Sequence, residues 1–231
     1  MKITHILKVA VLAVTFPLIF LSCKKDNATN NPTSKSTIKF QLQTTNRSSV
    51  VNRVAVTTAG NIVWTSGSAF ASEIKFEAES NNQKVEFKSE TPQHIDLFSP
   101  IATLGTINLP AGTYDKVEFK IELNPSGSDP GLQLIGQFTS GGVTTPVTLI
   151  VSGPLELKTE KENVVITDNT TFTALTTMSL SSLTNGVTEN MLNNAVHTSG
   201  AIVISASSNT DIYSILFHNF DDSDEVEFEH D

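Results

Sequence analysis

Cys23 is the one residue whose place in the chain assigns it chemistry. It is the only cysteine among 231 residues, and it stands where an N-terminal apolar run ends, between Ser22 and Lys24-Lys25. With no second thiol an intrachain disulfide is impossible, so the nucleophilic sulfur is read as a lipid acceptor. The other reactive groups are scattered. His94-Ile95-Asp96 puts an imidazole and a carboxylate on one face of a strand. That is half of a metal site or of an acid–base pair, and equally an ordinary surface edge. Ser72 and Lys75 share a face only on a helix, and the alternation around them calls for a strand. Trp64 is the single tryptophan and the candidate for stacking on a sugar, although Ile62 beside it points to the core. The possible ligand contacts are therefore Trp64, His94 and Asp96. No nucleophile, base and oxyanion donor can be named together, so no enzymatic activity, cofactor or metal is expected.

The elements before Cys23 explain its role. Lys2 and Lys8 are followed by an apolar run, Val9 to Leu21, broken only by Thr15 and Pro17, with the small Ser22 before Cys23. This is the charged, apolar, small-residue order of a secretory signal peptide. The run is shorter than the ~20 residues a membrane-spanning helix needs. Ser22-Cys23 resembles the lipobox of bacterial lipoproteins, in which the chain is cut before a cysteine that carries diacylglycerol, with Phe20-Leu21 in place of the usual leucine three residues before it. The expected organisation is a signal peptide over 1–22 and a flexible tether over 23–36. A sandwich domain over 37–220 and a solvated acidic tail over 221–231 complete it. The tether expectation rests on residues 24–36, which contain no large apolar side chain to offset their ordering entropy. Localisation in the cell envelope follows, with membrane attachment through the lipid on Cys23 at the outer membrane, periplasmic or surface side left open.

Charge narrows the partners. The chain has 15 basic and 24 acidic side chains, a net charge of −9, and loses Lys2 and Lys8 with the leader. Nucleic acid, which needs clustered cations, is excluded. The tail from Asp221 contains Asp222-Ser223-Asp224, but Val226 and the lack of a turn glycine break the calcium-loop pattern.

The body reads as strands. Ile38, Phe40 and Leu42 alternate with Lys39, Gln41 and Gln43, and similar runs include Val54–Val56, Ile62–Trp64, Ile74–Ala78 and Val85–Phe87. Asn81-Asn82 between the last two marks a hairpin. Leu109-Pro110-Ala111-Gly112-Thr113-Tyr114 predicts a tight corner before a strand through Val117, Phe119, Ile121 and Leu123, with Tyr114 turning its hydroxyl onto the corner. Asn124–Gly131 is loop chemistry, read as a long connection within one domain. Two short helices are predicted late, over Thr188–Val196 and behind a cap at Asn209 or Thr210.

Ile95-Asp96-Leu97, the Leu109–Tyr114 corner, Gly153-Pro154-Leu155-Glu156-Leu157 and Asn209-Thr210-Asp211-Ile212-Tyr213 together resemble the Bacteroidota lipoproteins that carry domain of unknown function 4382. The resemblance spans most of 38–220 and lacks that family's N-terminal Arg-Leu-Thr-Asp-Ala-Pro feature. It implies a β-sandwich in a secreted lipoprotein and brings no activity. The expected fold is mainly β, an antiparallel β-sandwich, immunoglobulin-like or prealbumin-like, with two short C-terminal helices. The expected function is a non-catalytic envelope module that binds an unknown protein or polysaccharide partner or serves structurally. The alternatives are a glycan-binding or adhesin-like surface lipoprotein and an envelope hydrolase.

Overall fold

Two-residue alternation sets the strands, and their registers show how they join. The computed structural model describes residues 35–45, 62–80, 83–220 and 224–230. The leader, Cys23, residues 24–34, the Val54–Val56 run, Asn81-Asn82 and Asp222-Ser223 lie outside them. The described chain is mainly β: two mostly antiparallel sheets packed as a sandwich, with two short helices near the C-terminal end.

The smaller sheet contains β1 (Lys35–Thr45), β5 (Ala102–Pro110), β10 (Thr171–Ser179) and β13 (Asp224–His230), in the order β13-β10-β1-β5. β1 runs parallel to β10 and antiparallel to β5. The larger sheet is built on β2 (Ile62–Ser80), 19 residues long. Its other strands are β3 (Gln83–Ser89), β4 (Gln93–Asp96), β6 (Gly112–Leu123), β7 (Leu132–Ser140), β8 (Val143–Val151), β9 (Leu155–Ile166), β11 (His197–Thr198) and β12 (Ala201–Ser205). α1 (Glu189–Asn193) and α2 (Thr210–His218) follow a single 3-10 turn at Ser182–Thr184.

The larger sheet is simpler than its strand count. β7 pairs with the first half of β2 and β6 with the second, both antiparallel. At the junction the Phe70 N–H donates to the Gly131 carbonyl (2.9 Å), and the Phe70 carbonyl accepts from the Asn124 N–H (3.2 Å). β6 and β7 therefore lie end to end along one edge of β2, and Asn124–Gly131 is an excursion from a continuing ladder, within one domain as the sequence predicts. β9 and β8 continue the pattern as the next ribbon, Leu123 facing Leu155 and Leu132 facing Val151. β3 and β4 share the opposite edge of β2. β12 then adds parallel to β8.

Inward positions of both sheets form one core. Phe40 of β1 lies against Phe119 of β6, stacked at 5.0 Å, and against Phe76 of β2 at 4.9 Å. All three rings are at most 2 % exposed. Burial of such rings contributes about 1.5–3 kcal/mol each, and their mutual geometry about 0.5–1.5 kcal/mol more. At the far end Leu183, Leu192, Ile212 and Leu216 close the core with Phe138, Ile202 and Ile204. The corner works as the sequence predicts. The Tyr114 ring is buried, and its hydroxyl donates to the Pro110 carbonyl at 2.8 Å, pinning the passage from β5 in one sheet to β6 in the other. Gly141 and Gly142 both take positive φ (57° and 83°), the conformation a two-residue hairpin between β7 and β8 requires.

Three expectations need correction. The packed structure already includes Lys35 and Ser36, ahead of the expected boundary at residue 37: Ser36 is buried and its hydroxyl donates to the Thr167 carbonyl. The acidic tail is not a free end over its length. Asp224–His230 pairs antiparallel with β10, Val226 opposite Thr176 and Phe228 opposite Ala174. Its acids alternate with those apolar residues, a strand period that net charge concealed. α1 spans only Glu189–Asn193 within the predicted Thr188–Val196, and Thr188 caps it by accepting from the Met191 N–H (3.2 Å).

Candidate functional site

The sequence-derived candidates separate in space. His94 and Asp96 share the outer face of β4, as their spacing requires, but they do not act on each other. Asp96 accepts from the Phe98 N–H (2.8 Å) and so builds the turn that follows. His94 lies edge-on against Phe70, ring centres 4.9 Å apart, and its Nε2 is 3.7 Å from Asp129 Oδ2 in the Asn124–Gly131 excursion. Paired backbone bonds between Ser126 and Asp129 stiffen that excursion. The His94–Asp129 pair is open to solvent, and among the described residues no group of three His, Cys, Asp or Glu gathers to hold a metal ion.

Trp64 is a core residue, 3 % exposed. It sits opposite Gly136 on β7. A Cβ on Gly136 would lie 2.9 Å from the indole Cε3 and 2.6 Å from the Val63 carbonyl oxygen, so the glycine makes room for the ring. The indole Nε1 is buried without a hydrogen-bond partner among the described residues. A ring so placed offers no exposed platform for stacking a sugar. Ser72 is part of the β2 framework: its hydroxyl donates to the Glu122 carbonyl (3.1 Å) and accepts from Asn124 Nδ2 (2.8 Å).

Sequence reading missed an ordered feature of the surface. Across β3, β2, β6 and β9 the registers align Lys88, Lys75, Lys120 and Lys158 in one row. Glu86, Glu77, Glu118 and Glu160 form the next row, and Glu73, Glu122 and Glu156 flank the lysines on the other side. Like charges directly opposite repel. The rows alternate along each strand, however, so every lysine reaches a glutamate of a neighbouring row. Lys120–Glu156 is 2.6 Å, Lys116–Glu160 2.7 Å, Lys84–Glu77 2.8 Å and Lys88–Glu73 3.1 Å. Lys75, then Lys84, hold the Glu77 carboxyl below its usual range, and Lys116 does the same for Glu160. Glu156 raises the Lys120 ammonium, while Glu90 and Glu73 raise Lys88. The signal was legible as Lys and Glu alternating at every second residue in Lys84–Glu90, Lys116–Glu122 and Glu156–Glu160.

The other half of the same sheet has a different outer face. Its rows read Ser66, Ile135, Thr148, Val203 and Ser68, Gln133, Ile150, Ser205, without a charge from β2 to β12; Asp96 of the edge strand β4 stands opposite Ser68. The two halves also occupy opposite ends of the domain. Lys35, where β1 starts, faces Pro110 of the corner, and Ser80 at the end of β2 donates to the Thr113 carbonyl (2.8 Å). The charged half is therefore next to the N-terminal entry, and the uncharged half lies towards Ile62, the Gly141-Gly142 turn and the helices.

Beside that uncharged half, α1 and the first turn of α2 enclose a cleft of about 470 Å3, lined by residues 190–191, 194–196 and 209–212. Asn209 holds its walls together. In left-handed conformation (φ 52°), it turns its side chain away from the helix it precedes. Its Oδ1 accepts from the Val196 N–H (2.8 Å), and its Nδ2 donates to the carbonyls of Val196 (2.9 Å) and Val203 (2.8 Å). The sequence offers Asn209 or Thr210 as the cap of α2; Asn209 takes that position, but its side chain acts as a strut instead of capping the helix. The chain matches no protein-family model, and no curated protein or solved structure is significantly similar to it.

Proposed function

We propose that the protein is a lipid-anchored lipoprotein of the cell envelope, at the outer membrane, whose sandwich is a non-catalytic binding or structural module. Lipid on Cys23 is the membrane contact, and residues 24–34 bridge from it to β1. The resemblance to Bacteroidota lipoproteins with domain of unknown function 4382 supports the reading, as does the tyrosine corner formed by the Leu-Pro-Ala-Gly-x-Tyr motif. The observation that carries it furthest is polarity. β1 starts at Lys35, at the end of the charged half, while the uncharged face and the cleft lie at the opposite end. Anchoring at Cys23 holds the Lys/Glu face near the membrane and presents the uncharged end away from it.

Several acyl chains, each methylene adding about 0.8 kcal/mol, are sufficient for stable anchoring. Cys23→Ser removes the acceptor sulfur, and the variant is expected to leave the membrane fraction and to lack the lipid mass. Unchanged membrane retention together with an unchanged mass would refute the anchor.

A further inference from the structure

We infer that the cleft between α1 and α2 binds a neutral saccharide through Asn190, Asn194, Thr210 and Asp211. This deepens the proposed function, since it rests on the domain being a binding module. The cleft's volume of about 470 Å3 lies within the roughly 300–1,000 Å3 usual for small-ligand sites. Its shape is fixed by the Asn209 strut, which ties the segment after α1 to the strand before α2 with three hydrogen bonds. A site so braced needs little ordering on binding.

The chemistry of the lining selects the ligand. Asn194 Nδ2 donates to the Asn190 carbonyl (2.8 Å) and to Asn190 Oδ1 (3.1 Å). That leaves the Asn194 amide oxygen as an acceptor and the Asn190 amide nitrogen as a donor. The Asp211 carboxylate and the Thr210 hydroxyl have no side-chain partner among the described residues. Met191 is half-buried and Val196 is 65 % exposed, so an apolar surface lies between these polar groups. No Lys, Arg or His lines the cleft, so an anion would meet the Asp211 charge with nothing to offset it. A metal ion would find one carboxylate where it needs several oxygens. A wholly apolar ligand would strip water from the polar groups and return no hydrogen bond. A neutral sugar satisfies all of them: hydroxyls both donate and accept, a carboxylate takes two neighbouring hydroxyls, and the ring's C–H face covers Met191 and Val196.

The test uses methionine-methyl-labelled, full-length protein in detergent, titrated with neutral hexose and N-acetylhexosamine di- and trisaccharides. A hexuronate-containing disaccharide serves as the anionic probe. Met191 lies in the cleft and Met178 is fully buried in β10, so one methyl reports binding and the other is its reference. The expected result is a saturable shift of the Met191 methyl with a neutral sugar and none at Met178. Asp211→Ala and Asn194→Ala, both at exposed positions, are each expected to weaken binding at least tenfold while leaving the Met178 signal in place. No Met191 shift with any neutral sugar, equal binding by both variants, or preference for the hexuronate overturns the inference. If nothing binds while Cys23→Ser still releases the protein, the site fails and the anchored module stands. If a neutral sugar binds and is cleaved, the site stands and the non-catalytic reading fails.

Discussion

The two halves of the larger sheet share strands, ladder and core, yet they face solvent with opposite chemistry. Around Lys75 and Lys120 the outer rows are Lys and Glu in alternation, whereas around Ile135 and Thr148 they are hydroxyls, amides and aliphatics. The inward positions do not differ in kind: Phe76 and Phe119 are as buried beneath the charged half as Trp64 and Phe138 are beneath the uncharged one. What differs is the cover on the inner side, β1 and its sheet in one case, the helices in the other. Folding therefore constrains the inner face of both halves and leaves the outer faces free to diverge. A dense Lys/Glu carpet keeps a broad sheet face solvated and discourages sheet-to-sheet association. An uncharged face carries no such protection, and it lies at the end of the domain opposite Lys35.

The largest effects would come from the shared core. Phe119→Ala and Trp64→Ala are each expected to cost about 3–5 kcal/mol. Out of a total of about 5–15 kcal/mol, either loss is severe. Denaturant unfolding of both should remain a single transition. Two transitions, one per half, would show that the halves fold separately. Tyr114→Ala belongs to the same class, because the buried ring closes the corner beside the charged half, while Tyr114→Phe loses only the bond to Pro110, about 1 kcal/mol. If neither variant shifts the midpoint, the corner does not hold the sheets together.

Acid should act on one half first. The carboxyls of Glu77, Glu90 and Glu160 are held down in the folded state by neighbouring lysines. A depressed folded value stabilises at pH above the unfolded value, about 4.3 for glutamate, and that contribution is lost as pH falls through the folded value. Raised lysines such as Lys120 behave in the mirror sense, contributing below about pH 10.4 and losing it as pH rises further. Thermal midpoints should therefore be flat near neutrality and fall below about pH 4. In hydrogen exchange at that pH, β3 and β9 should lose protection before β7 and β8. Simultaneous loss in both halves would mean that the carpet contributes nothing measurable. Single charges matter least. Lys120→Gln is expected to cost under about 1 kcal/mol, and Ile135→Lys to fall within about 0.5 kcal/mol of wild type in a melt. A large penalty for Ile135→Lys would show that folding itself demands the uncharged face.

Much of this plan was legible in the sequence. Alternation located the strands, Val85–Phe87 falling within β3 and Val117–Leu123 within β6, and Leu109–Tyr114 announced its corner. β2 was less visible. Ile62–Trp64 and Ile74–Ala78 read as separate strands because Ser66, Gly67, Ser68 and Ala71 between them are small, yet the ladder runs through. The continuity of β6 into β7 was hidden for another reason: an eight-residue loop of Pro, Gly and Ser looks alike whether or not pairing resumes on the same edge. Charge rows need register, which is a property of pairing and not of any one strand. The cleft was illegible because Asn209 carried a local helix-cap signal, and its use as a strut between Val196 and Val203 depends on tertiary placement.

The central claim is that the anchor holds the charged half near the membrane and presents the uncharged end. Under the proposed anchoring the Cys23 sulfur is taken by lipid and one introduced cysteine is the only free thiol, so Lys84→Cys and Thr144→Cys can each be dye-labelled in protein reconstituted into vesicles with headgroup-attached quencher. Lys84 lies in the charged half and Thr144 beside the Gly141-Gly142 turn at the other end. The account predicts stronger quenching at position 84 than at 144, and loss of both signals when Cys23→Ser is added. Equal quenching at the two positions, or stronger quenching at 144, would contradict it.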